Sequence, residues 1–275
     1  MANVLRVKGD LRAADRAFSR ALRLWAADAG SLLPFDETRL LDLEGSLRRG
    51  QRRFDEALAL LDRALEKAPS GAAAARLLLN KSATLEQKGD VLGAVLVLEG
   101  AAARVGDTAE PRLLWGILFN RIACLCHLGR VEEAARLLPQ VREQAAALNN
   151  RFDLVRTRWL LGRVALGRGR RDEAREAFEQ VRADFVAGGM AYDAAIVNLD
   201  LALLLLEEGR TPDVQELARQ VLALCRAGGV GREALAALDL FARARDHDEL
   251  SAMARRLVRY LEQARHAPGL RFANG

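Results

Sequence analysis

At 275 residues, 51% of them apolar, the chain is long enough to bury a sizeable core, and its wealth of Ala, Leu, Arg and Glu with only 5% aromatics favours helix nearly everywhere. Lys8, Lys67, Lys81 and Lys88 are the only lysines among 42 basic residues, and 37 acidic residues are interspersed with them, so the net charge of +5 is diluted and no basic block marks a nucleic-acid face. Three cysteines without regular spacing, Cys124, Cys126 and Cys225, exclude a disulfide framework and fit a reducing compartment.

In chain order, the opening stretch MANVLRVKGD lacks the apolar core of a signal peptide. The longest apolar run, Leu201 to Leu206, is far too short to cross a bilayer, so a cytoplasmic, soluble protein with no membrane partner is expected. Glycine followed by a polar residue then recurs at Gly9, Gly50, Gly89, Gly129, Gly169 and Gly209, at intervals of 41, 39, 40, 40 and 40. Downstream of each glycine comes a small residue, Ala14, Ala57, Ala94, Ala134, Ala174 or Val214. Four positions on stand Phe18, Leu61, Leu98, Leu138, Phe178 and Ala218, and three further on Ala21, Ala64, Ala101, Val141, Val181 and Val221. Such regularity marks an internal repeat.

Apolar residues recur at three- and four-residue spacing on both sides of each glycine, so each unit reads as two amphipathic helices joined by a tight turn. Glycine suits the left-handed position that ends the first helix. Asp55-Glu56, Glu132-Glu133 and Asp172-Glu173 sit in the first turn of the second, where they complement the helix dipole. In the sixth unit Thr211 is expected to cap the helix, with Pro212 at its first position. The units span roughly 1–30, 31–70, 71–106, 107–149, 150–188, 189–228 and 229–267, and 268–275 form a tail. The last pair is expected to run to about Arg245 and from Asp248 to about Gln263.

The segment GRVALGRGRR (Gly162 to Arg171) nearly spells a phosphate-binding loop. Such a loop must leave a strand and end in Lys and a hydroxyl; here a helical segment precedes it, Arg168 is the basic residue, and Gly169 stands where Ser or Thr is required. The glycines belong to the repeat instead.

The stretch WLLGRVALGRGRRDEAREAFEQV, with Leu161-Gly162, Ala174, Phe178 and Val181, resembles a tetratricopeptide unit, as does the stretch with Gly45, Ala57, Leu61, Ala64 and Pro69. The resemblance covers nearly the whole chain. It implies an all-α, TPR-like α-solenoid of about seven antiparallel helical hairpins in a right-handed superhelix, as one array over 1–275. The period of about 40 exceeds the usual 34 and also fits HEAT or armadillo arrays, and the last two units match poorly. The glycine turn and the small–bulky–small series favour the tetratricopeptide reading.

The resemblance further implies that the first helices line a concave groove. Fourteen positions before the small residues stand Leu43, Asn80, Asn120, Leu160 and Asp200, with Trp159 one position earlier in its unit. A side-chain amide both donates to and accepts from a peptide backbone, and Trp159 could anchor an apolar side chain. Asn80, Asn120, Arg121, Arg156, Trp159, Arg163 and Asp200 are therefore the candidate peptide-contacting residues, set against simple solvation of the helix faces.

Cys124 and His127 could share a helix face, but Cys126 points away by about 200° and two ligands fall short of a structural zinc site, so no metal is expected. With only His127, His247 and His266, no catalytic Cys–His or Ser–His–Asp set can be placed, and neither catalysis nor a cofactor is expected. The leading expectation is a non-enzymatic scaffold for a protein or peptide partner. The alternative is a ligand- or peptide-sensing regulatory domain of a larger bacterial signalling or transcription-regulating protein. Nucleic-acid binding is disfavoured, because acidic residues interrupt every basic cluster. The first unit has only about eight residues ahead of Gly9, so missing upstream residues, a second subunit or a partner are expected to complete it.

Overall fold

The structure, a computed structural model, describes residues 2–7, 10–27, 37–105, 110–227, 230, 232–244, 246–264 and 270–272. Fourteen α-helices run through them, and no strand forms among the described residues. The chain divides into two compact units, Met1–Leu148 and Asn149–Gly275. In the first, α1 (Ala2–Val7) pairs with α2 (Leu11–Ala27), α3 (Glu37–Gly50) with α4 (Phe54–Glu66), α5 (Gly71–Lys88) with α6 (Val91–Val105), and α7 (Pro111–His127) with α8 (Val131–Leu148). In the second, α9 (Arg151–Gly167) pairs with α10 (Arg171–Ala187) and α11 (Ala191–Glu207) with α12 (Thr211–Ala227), followed by α13 (Arg232–Arg243) and α14 (His247–Ala264). Each second helix also packs on the next first helix of its unit: α4 on α5, α6 on α7, α10 on α11 and α12 on α13.

The turns follow the glycine ladder. Gly89, Gly129, Gly169 and Gly209 have φ of +102°, +70°, +73° and +71°, the left-handed region that side chains disfavour. Gly50 differs: α3 runs through it, and the left-handed position passes to Arg52 with φ of +61°. A residue with a Cβ costs about 1–2 kcal/mol there. Gly9 lies outside the described residues. Across four turns an arginine bonds the acid three positions on, in Arg53–Glu56, Arg130–Glu133, Arg170–Glu173 and Arg210–Asp213. Ion pairs this open to solvent contribute little stability. Asp10 and Asp90 instead accept from the backbone of Ala13 and Gly93 as true caps. The expected Thr211 cap shifts by one, since α12 begins at Thr211 itself and the Arg210 carbonyl accepts from Asp213 and Val214.

The register residues form the core. Ala14, Ala57, Ala94, Ala134, Ala174 and Val214 are wholly buried, as are Leu98, Phe178, Ala64, Ala101, Val141 and Val181. Leu138 and Ala21 are half-buried. Small residues at the crossing let the two helices of a hairpin approach closely. A Cβ added at Gly45 would lie 3.2 Å from Leu61 Cγ, and one at Gly162 only 2.7 Å from the Phe178 ring. Both glycines stand sixteen residues before the bulky residue they face. Gly162, which belongs to the near phosphate loop, is thus a packing glycine.

The final pair breaks the pattern, because α14 packs on α11 more than on α13. The face of α14 that carries Leu250, Ala254, Leu257, Leu261 and Ala264 is buried, and α11 is buried on nearly every side as a result. This explains the unbroken apolar run Leu201 to Leu206: a helix covered all round needs no polar stripe.

Two glycine substitutions of opposite sign test the close-approach account. Gly162→Val should destabilise by about 1–3 kcal/mol, because it forces atoms into the Phe178 ring. Gly100→Ala, inside α6 with only the Arg104 guanidinium 3.4 Å away, should stabilise by about 0.5–1 kcal/mol. Urea midpoints report both, and a Gly162→Val midpoint at or above wild type refutes the account.

Candidate functional site

In the first unit the first helices carry the candidates, Asp42 on α3, Asn80 on α5, and Asn120 and Arg121 on α7. Asn80 Nδ2 donates to Asp42 Oδ1 at 2.6 Å, and Arg39 Nη1 donates to the other oxygen of the same carboxylate at 2.8 Å. The Asn80 backbone carbonyl accepts from Arg49 Nη1 at 3.0 Å and from Thr84 Oγ1 at 2.9 Å. Asn120 Nδ2 donates one helical turn back, to the Gly116 carbonyl at 2.9 Å. Each asparagine therefore spends a side-chain N–H inside the unit. Those donor bonds fix which way each amide points, and among the described residues neither Oδ1 accepts a hydrogen bond; both asparagines are half-buried. One residue before Asn120, Phe119 stacks on Trp115 with ring centroids 5.0 Å apart. Arg121 points elsewhere: its Nη2 donates to Glu99 of α6 at 2.7 Å, and its buried Nε has no partner among the described residues.

In the second unit the candidate residues bond to one another. Trp159 Nε1 donates to Asp200 Oδ2 at 2.6 Å, and Arg163 Nε donates to the same oxygen at 3.1 Å. The Arg163 guanidinium lies 4.4 Å over the Trp159 ring, and its Nη2 reaches Glu262 of α14 at 3.0 Å. The side chains of Arg163 and Asp200 are only 9% and 8% exposed, so this network sits in protein, where charge-assisted bonds are strong. Arg156 pairs with the buried Asp193 at 3.5 Å. The register exposes the cause. Leu79 and Phe119 are half-buried on α5 and α7, whereas their counterpart Leu199 is wholly buried on α11, under α14. Trp159 is accordingly buried and bonded where a free apolar anchor was expected.

Among the described residues no three His, Cys, Asp or Glu side chains converge as a metal site, and no helix is long and apolar enough to cross a membrane. Cys124 and Cys225 are buried, and burial pushes the Cys225 thiol up to about 12, leaving it an inert core residue.

Two sequence profiles described as tetratricopeptide repeat match the chain, one over residues 116–185 and one over residues 43–111 and 160–227. The chain belongs to the tetratricopeptide repeat family. Among solved structures, this TPR protein is similar to a Rap protein complexed with competence and sporulation factor, at 14% identity and a TM-score of 0.67 over 87% of this chain and 68% of that one. It is also similar to the Rap conjugation gene regulator of plasmid pLS20 in complex with the Phr* peptide, at 11% identity and a TM-score of 0.62 over 86% of this chain and 68% of that one. A tetratricopeptide repeat protein from Parabacteroides merdae matches at 18% identity and a TM-score of 0.56, over 92% of this chain and 96% of that one. At such identities the likeness establishes a shared fold. No curated protein is similar enough to count as a relative.

Two partners in these TPR faces carry no sequence signal of their role. Glu262 comes from the last, poorly matching hairpin, and its reach to Arg163 depends on α14 lying along α11. Asp42, which holds Asn80 in place, stands one position off the asparagine register, where the sequence offers nothing to set it apart.

The buried network gives a direct expectation. Asp200→Ala removes the acceptor of Trp159 and one of the two acids on Arg163, and should cost about 2–3 kcal/mol in urea unfolding. A loss below about 0.5 kcal/mol would mean that the network is solvated.

Proposed function

We propose that the protein is a non-enzymatic scaffold that binds an extended peptide or a partner's segment along the first-helix face of the unit Met1–Leu148. The observation that carries this reading is the pair Asn80 and Asn120. They stand at equivalent positions of α5 and α7, each with its amide nitrogen tied down internally and its Oδ1 left open. Pre-oriented carbonyl oxygens on successive helices are suited to accept backbone N–H groups, which an extended chain offers whatever its sequence. The half-buried Phe119 beside Asn120, stacked on the buried Trp115, supplies apolar surface for a side chain. Family membership supports the binding role, since tetratricopeptide repeats mediate protein–protein interaction.

A second reading is a peptide-sensing regulatory module. It is favoured by the two Rap structures of like fold, one complexed with competence and sporulation factor and the other with the Phr* peptide. In both readings the same face of the first unit is the contact surface, and Trp159, Arg163 and Asp200 serve stability.

Peptides selected from a random library on the wild-type chain test the assignment. Each should bind the Asn80→Ala/Asn120→Ala double variant at least about tenfold more weakly, the loss of two desolvated acceptors. The same peptides should bind Arg156→Ala within about twofold of wild type, since Arg156 lies in the other unit and pairs with Asp193. Equal affinity for the double variant and wild type refutes the face.

A further inference from the structure

The exposed side of α2 carries Arg12, Arg16, Arg20 and Arg23, spaced by four, four and three residues. At about 3.6 residues per turn they lie within an arc of about 80°. Among the described residues none of the four takes part in an ion pair or a side-chain hydrogen bond. The one acid of α2, Asp15, is taken by Arg48 of α3 at 2.7 Å. Arg12, two residues before the buried Ala14, stands where α4, α8 and α10 carry Asp55, Glu132 and Asp172. A cation in the first turn opposes the helix dipole, so arginine there gives up stability that an acid would supply.

The complement lies on α10. Asp172, Glu176 and Glu179 are exposed and repeat the spacing of four and three. They share an arc of about 60°. The arginines of this helix are spent inside the protein: Arg171 pairs with Glu207 at 3.6 Å, Arg175 with Glu208, and Arg182 donates to Gln220 at 2.7 Å. Of the three acids only Glu176 has a partner among the described residues, the uncharged Gln180. The two rows also correspond in the repeat, since Arg12 and Arg16 hold the places of Asp172 and Glu176 relative to the buried alanines Ala14 and Ala174. One helix is left with unspent positive charge and the other with unspent negative charge.

We propose that α2 of one molecule docks on α10 of a second copy of this chain, arginine row against carboxylate row. Arg16, Arg20 and Arg23 have the same spacing as Asp172, Glu176 and Glu179, so three guanidinium–carboxylate contacts form along two facing helices. The exposed Leu24 and Val186 border the rows and add apolar surface to the contact. A nucleic acid would also suit the arginines, but it leaves the matching acids of α10 unexplained. Because the two faces differ, the contact is head-to-tail. Exposed ion pairs are individually weak, so the association is concentration-dependent and is screened by salt. No residue of the asparagine face takes part, and the contact stands or falls independently of peptide binding.

Sedimentation velocity of the full chain tests the contact. The sedimentation coefficient should rise with protein concentration in about 20 mM salt, and the chain should stay monomeric in about 0.5 M salt. Arg16→Glu/Arg20→Glu and Glu176→Arg/Glu179→Arg should each weaken association at least about tenfold, because like charges then face each other. An equimolar mixture of the two variants should associate again, since each supplies the row that the other lacks. Circular dichroism checks both variants. Should either lose helicity, Arg16→Gln/Arg20→Gln or Glu176→Gln/Glu179→Gln takes its place, with the same loss and the same recovery on mixing. A wild-type chain that stays monomeric at low salt, unchanged association in a folded variant, or a mixture that stays monomeric would each overturn the contact. So would a monomeric wild type that binds single-stranded DNA through the same arginines, which assigns α2 to nucleic acid.

Discussion

Four hairpins of this protein close around an alanine with no exposed surface. Where the two helices of a hairpin meet, one side presents Ala57, Ala94, Ala134 or Ala174, each with no exposed surface. In two hairpins the other side adds a glycine, Gly45 against Leu61 and Gly162 against Phe178. A wider residue at such a contact would push the helices apart by a sizeable fraction of a side chain, and the bulky residue four positions on would lose its seat. Interiors are packed like crystals, so the shift would pass to the next helix in the stack. The small residue therefore sets the spacing within the hairpin, and with it the surface offered to the following first helix. Charge and turn chemistry adjust the ends of the helices, but the spacing comes from atoms that are absent.

That constraint is also why so much of the fold is legible in the amino-acid order. A position held by Ala in five units and by Val in the sixth writes itself into the sequence, and the turn glycines with φ near +70° do the same. The helices and the faces they bury follow directly from those two marks. What is not legible depends on encounters between residues far apart in the chain. Nothing local announces that α14 will lie along α11, since its own stripe of Leu250, Leu257 and Leu261 would serve equally well against α13. Once α14 is in place, Trp159 and Asp200 change character: by register they face outward, and in the structure they are buried partners. Gly50 is a smaller case, where the glycine sits in the helix and Arg52 accepts the left-handed strain two residues later.

The two units illustrate how one repeat yields faces of opposite availability. On α5 and α7 the register places Asn80 and Asn120, whose donors are tied internally and whose carbonyl oxygens are open. On α9 and α11 the same kind of face carries Trp159, Arg163 and Asp200, and the molecule supplies their partners from its own C-terminal helix through Glu262. A face already saturated from within has little free energy left to give an external ligand, because any newcomer must first displace bonds of equal quality. Availability, more than chemical type, thus separates a recognition surface from a structural one. An arginine beside a tryptophan reads as a docking anchor in sequence and as a keystone in structure.

The two arginine environments, Arg163 and Arg49, bear on the same point from the side of charge. Each sits at least half-buried on a first helix, and burying a guanidinium is costly unless an anion comes with it. For Arg163 the chain meets that requirement twice over, with Asp200 and Glu262, and adds the Trp159 ring. For Arg49 it supplies one backbone carbonyl and a second arginine, Arg6, whose charge acts against it. The two differ in partners and not in residue type: Arg163 is held by two carboxylates and a ring, Arg49 by a backbone carbonyl.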